Sequence, residues 1–173
     1  MHAHEERNQD AQDKLRSLAK VVDNLMSDAW NWWLEKKIAS DTGEARKILD
    51  ELLAKLGENG WGEEHTFGIH LAVEEALMNA IKHGNQRDPD KQVYVEYGVS
   101  SEELRIVIED EGEGFVPEDV PDPTLEENLE LPSGRGLMLM RTFMSQVEYN
   151  DRGNRVTMGK NLNDVPAADD DDD

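Results

Sequence analysis

Glu75, Asn79 and His83 stand four residues apart in a stretch that otherwise reads as helix, Glu74-Glu75-Ala76-Leu77-Met78-Asn79-Ala80-Ile81-Lys82-His83-Gly84-Asn85. That spacing puts the three side chains in one line along a helix face. Asparagine is a poor interior residue for a helix, because its amide competes for backbone hydrogen bonds. Something other than helix propensity therefore placed Asn79. Ile69, Val73, Ala76, Leu77, Ala80 and Ile81 form an apolar stripe on the opposite side. A carboxylate and an amide oxygen one turn apart, on a helix with a buried side, suit a hard cation and a proton-accepting base.

Two further stretches could share that chemistry. Asp110-Glu111-Gly112-Glu113-Gly114-Phe115 follows directly on a strand. Asp110 ends the strand, and the glycines let backbone approach a flat ligand closely. Read alone, the same residues also make an acidic surface turn. Ser133-Gly134-Arg135-Gly136-Leu137 opens a helix, where free N–H groups and the helix dipole favour phosphate. By itself it reads equally as a glycine-rich hinge. The chain lacks the GxxxxGK[ST] pattern of a P-loop.

In this order, over about residues 31–161, the three stretches resemble the GHKL (Bergerat-fold) ATPases, and within them the RsbW-like anti-sigma-factor serine kinases. Glu75-Ala76-Leu77-Met78-Asn79-Ala80-Ile81-Lys82-His83-Gly84 matches the E-A-x-x-N-A-x-x-H-G form of that branch. The resemblance implies that Asn79 coordinates Mg2+ on the ATP phosphates and that Glu75 is the general base. It implies that Asp110 accepts the adenine amino group, with Gly112 and Gly114 as the adenine wall. Residues 116–133 would be the ATP lid, and Gly134, Arg135, Gly136 and Leu137 would place N–H groups near the phosphates. His83 marks the branch and counts with the cofactor-binding positions, although a histidine at a helix end also satisfies carbonyls there. Relatives often carry a threonine near the adenine-binding aspartate. The matching stretch here is Gly153-Asn154-Arg155-Val156-Thr157, so that threonine is absent or displaced.

The implied activity is ATP-dependent serine/threonine protein kinase. Its implied partners are a small antagonist protein of STAS type and a sigma factor. Two alternatives stay open: a nucleotide-dependent binding module without transfer, and the ATP-binding part of a phosphorelay kinase. Against the last, no helix offers a convincing phosphoacceptor histidine, since His65 and His70 lie inside or beside the nucleotide helix.

The elements that must position these residues are legible in outline. Residues 31–38 read as a strand beside the cluster Trp30, Trp32 and Trp33. Asp41 and Glu44 form a capping box for a helix whose apolar face is Ala45, Ile48, Leu49, Leu52, Leu53 and Leu56, with Gly57 as its stop. Glu63 and Glu64 open the helix that carries Asn79. Residues 93–99 and 104–110 alternate and form an antiparallel hairpin. Residues 111–133 are too long for a plain connection, as lids are. A short apolar helix over 136–144 and strands at 147–150 and 155–158 complete the order. That order predicts an α+β fold, a two-layer sandwich with helices on one face of a mixed, mostly antiparallel sheet.

Three segments are expected: a helical extension over 1–29, the ATP-binding domain over 30–162, and a disordered acidic tail over 163–173. In the extension, Leu15, Leu18, Val22, Leu25 and Ala29 make one narrow apolar seam. The helix either docks on its own domain or serves self-association; with the resemblance, the seam suggests a homodimer. The chain of 173 residues carries 39 acidic and 18 basic side chains, a formal charge of -21. That balance argues against nucleic acid and against anionic membrane surfaces. No cysteine is present, which excludes disulfide scaffolds and thiolate metal sites. With no spanning segment or signal peptide visible, a cytoplasmic protein is expected.

Overall fold

The computed structural model describes residues 30–119 and 135–164, the Glu118 side chain aside. The expected N-terminal helix, Gly134 with most of the lid, and the aspartates at the tail's end lie outside the described residues. Five strands form one sheet in the order β1-β2-β3-β5-β4: β1 Trp32–Ala39, β2 Gln92–Val99, β3 Glu103–Asp110, β4 Gln146–Tyr149 and β5 Arg155–Asn161. Every pairing is antiparallel. Helices α1 (Thr42–Glu58), α2 (Glu63–Asn79) and α3 (Arg135–Phe143) pack on it, with α2 touching both others.

Period-2 alternation decides which face the helices cover. Val93, Val95, Tyr97 and Val99 on β2, Leu104, Ile106 and Ile108 on β3, and Val156 and Met158 on β5 are buried together with the helix residues Leu52, Leu56, Ile69, Val73 and Leu77. The other face carries ion pairs, Arg105 to Glu96 at 2.9 Å and Arg155 to Glu109 at 3.4 Å. The imperfect alternation of β1 has two causes. It is an edge strand, so Lys36 is exposed although it lies opposite Val95. It also carries aromatics on both sides: Trp32 packs on the core under the Lys55 ammonium, 4.1 Å from its ring centre, whereas Trp33 and Trp30 close over Gly98.

Local chemistry and tertiary contact divide the helix ends between them. Asp41 caps α1, accepting hydrogen bonds from the N–H groups of Gly43 and Glu44. The reciprocal half of the capping box is absent among the described residues, for Glu44 turns forward to Lys47 at 2.6 Å. Gly57 does not stop the helix. The chain stays helical through Glu58 and reverses at Gly60, φ +86. There the N–H of Gly60 donates to Gly57 O and that of Trp61 to Leu56 O, a Schellman closure. The extra turn brings Trp61 into the core, where its indole N–H donates to Ser100 O at 2.8 Å. Helix α2 is α-helical to Asn79. It then widens into a π-turn, Ala80–Gly84, closed by the Asn85 N–H to Ala80 O at 2.8 Å. Single π-turns inside helices concentrate at functional sites.

Candidate nucleotide site

The three motif stretches meet around one cavity of about 550 Å³, within the usual range for small-molecule sites. Helix α2 lines it with Glu75, Ala76, Asn79 and Ala80, and the π-turn adds His83 and Gly84. The end of β3 contributes Ile108 and Asp110, and the following loop Gly114 and Phe115. Gly136, Leu137 and Met140 come from α3, and Tyr149, Gly153, Asn154 and Val156 from the last two strands and their turn.

Asp110 is seated by close backbone approach. Its carboxylate lies against Gly84, where any Cβ would overlap it. It accepts a hydrogen bond from the Gly112 N–H at 2.8 Å. Burial raises the Asp110 pKa above its ordinary value, opposed by that N–H and by the Arg152 guanidinium. Arg152 in turn donates to Gly112 O at 2.8 Å. Gly112 is not on the cavity wall. It is buried behind it, and a Cβ there would strike the Gly84 carbonyl. Gly114, φ +79, and Gly153, φ +74, interlock the loop with the β4–β5 turn, each leaving no room for a Cβ against the other segment's backbone. Phe115 meets Tyr149 edge-on with ring centres 4.9 Å apart. Burial pushes the Tyr149 phenol up to about 12, so it stays neutral near pH 7.

Glu75 joins the first and third stretches. Its carboxylate sits against Gly136 in the first turn of α3, where a Cβ would overlap Oε1. Helix N-termini favour negative charge, so the same turn that attracts this carboxylate can attract phosphate. Leu137, beside Gly136, is buried under the cavity. Arg135 opens α3 and is exposed, outside the lining. Gly134 lies outside the described residues. Of the residues singled out in sequence, the structure thus brings Glu75, Asn79, His83, Asp110, Gly114, Gly136 and Leu137 to one cavity, with Gly112 supporting it.

Other contributors were not singled out by residue type. Tyr149 reads only as a strand residue. Asn154 lies in the stretch where a threonine was sought: it is buried, lines the cavity, and donates from Nδ2 to Asp110 O at 2.7 Å. Thr157 lies opposite Val107 and away from the cavity. The departure from the threonine pattern marked this position in the sequence; its contact with Asp110 required the fold.

Among the residues lining the cavity, the Glu75 carboxylate and the Asn79 amide offer hard oxygen donors one helical turn apart. Among the described residues no three histidine or acidic side chains cluster as a cage for a metal ion. A divalent cation here would take few ligands from protein, which suits Mg2+ held mainly by phosphate and water. Among the described residues, no helix is long and apolar enough to cross a membrane.

Residues 38–160 match the family described as histidine kinase-like ATPase domain. Among curated proteins, the anti-sigma F factor of Clostridium perfringens is 33% identical over 130 residues, covering 72% of this chain and 91% of that protein. The serine-protein kinase RsbW of Bacillus subtilis is 32% identical over 140 residues, covering 76% and 86%. RsbW of Bacillus licheniformis is 32% identical over 130 residues, covering 70% and 78%.

Proposed function

This chain belongs to the histidine kinase-like ATPase domain family, and from that membership we propose that it is an ATP-dependent serine/threonine protein kinase of the anti-sigma-factor type. It phosphorylates a small STAS-type antagonist protein and holds a sigma factor, in the cytoplasm, where ATP and Mg2+ are supplied. The N-terminal extension, with its apolar seam, serves a homodimer, and residues 30–162 are the ATP-binding unit.

One observation carries the reading: the Glu75 carboxylate lies against the first turn of α3 in the cavity that also holds Asn79 and Asp110. Phosphoryl transfer needs positioning and charge neutralisation more than covalent help. Asp110 receives the amino edge of adenine, with Gly112 and Gly114 behind it. Gly134, Arg135, Gly136 and Leu137 present the N-terminal turn of α3 to the phosphates. Asn79 is the protein's oxygen ligand to Mg2+, with His83 closing the same helix face. Bound Mg2+ neutralises the phosphate charge. Glu75 accepts the proton of the attacking serine or threonine hydroxyl.

The test mixes the protein with labelled ATP and candidate antagonists. Glu75→Gln is expected to bind ATP as the wild type does and to lose transfer by about 10²–10⁴-fold. Nucleotide binding with no transfer to any antagonist, by the wild type, would establish a binding module instead.

A further inference from the structure

Asn85 and Asn154 are buried polar side chains, and Asn85 has no exposure at all. Burying an amide is costly unless every polar atom finds a partner. Asn85 finds them all. Its Nδ2 donates to Ser40 Oγ at 2.6 Å and to Gln92 O at 2.9 Å, and its Oδ1 accepts from the Glu111 N–H at 2.8 Å. Gln92 N–H returns to the Glu111 carboxylate at 2.5 Å, closing a three-residue ring. Asn85 does not line the cavity.

The geometry falls on one peptide unit. The N–H of the Asp110–Glu111 peptide is held by Asn85, and its C=O is held by Asn154 Nδ2 at 2.7 Å. A peptide is planar, so two bonds on opposite edges fix its orientation. The backbone torsion that leads from that plane into Asp110 is thereby restricted, and with it the direction in which the Asp110 Cα–Cβ bond leaves the backbone. Of the two clamps, Asn154 is on the cavity wall and can meet ligand itself; Asn85 is outside it.

We infer that Asn85 is a positioning residue for base recognition, acting through the Asp110–Glu111 peptide to aim the Asp110 carboxylate into the cavity. This inference rests on the reading of the cavity as an adenine-nucleotide site. Asn85 touches neither base nor phosphate, so its loss should erode discrimination at the base amino group specifically.

The probe pair is ATP and purine riboside triphosphate, which lacks that amino group. Wild type should bind ATP about tenfold more tightly, the worth of one hydrogen bond to a charged group. Asn85→Ala should shrink the ratio below about threefold while its far-ultraviolet spectrum and cooperative melt persist; a general loss of structure would lower the active fraction and leave the ratio unchanged. A folded Asn85→Ala with the wild-type ratio overturns the proposal and leaves the nucleotide site intact. If wild type itself binds neither triphosphate, the nucleotide reading falls and takes the proposal with it. Should Asn85→Ala fail to fold, Ser40→Ala, which removes one anchor of the Asn85 amide, carries the comparison: a reduced ratio supports the proposal and a wild-type ratio overturns it.

Discussion

Asp110 has to be an acceptor in a place that disfavours its charge. Burial raises its pKa, so the folded chain binds this proton more tightly than the unfolded chain does. Its contribution to stability is full below the ordinary carboxylate value and is lost as pH rises through the raised value. Asp110→Asn keeps an oxygen for the Gly112 N–H and carries no charge. Thermal melts at pH 7 should therefore show the variant at least as stable as wild type, and the difference should shrink near pH 4. The same variant should show no stabilisation by Mg-ATP, because the amide presents a donor or a weaker acceptor to the base. Stability surrendered at a site for function is a common pattern. At this scale the sequence was informative where residue type contradicts local structure, as with an asparagine inside a helix. It was silent where an ordinary residue type acquires a role by contact: Tyr149 and Asn85 belong to types found in any strand or turn.

At the scale of elements, two glycines that read alike do different work. Gly60 holds φ +86 at the Schellman end of α1. Gly84 ends the π-turn and gives way to the Asp110 carboxylate. Strand β3 separates the regions, since Trp61 is tied to Ser100 just before it and Asp110 closes it. Gly60→Ala should lower unfolding free energy by about 1 kcal/mol, the cost of a side chain in the left-handed region, with ATP affinity unchanged in a titration. Gly84→Ala should weaken ATP binding by about tenfold or more, because the new Cβ displaces Asp110. The π-turn was not legible in sequence. A helix pattern specifies a face, whereas an inserted residue depends on what the helix end must reach, here Asn85 and the start of the loop after β3.

For the whole molecule, charge and topology act together. A net charge of -21 loads the compact state with self-repulsion that salt screens. Raising NaCl from low to physiological strength should increase the melting temperature by a few degrees; an unchanged or falling value would show that the acidic residues are already compensated. The strand order β1-β2-β3-β5-β4 carries Asp110 and Asn154 to the same end of adjacent strands, and α2 and α3 lie together above them. The alternation of β2 and β3, the cap at Asp41, the apolar stripe of α2 and the three ordered motifs were determined by the sequence itself, because each is a local pattern with a fixed period or spacing. The widening of α2 at Ala80, the seat of Glu75 against Gly136 and the two-asparagine clamp on the peptide after Asp110 were decided only by tertiary structure. Each depends on a contact between segments far apart in the chain, and local propensity carries no information about which distant group will arrive.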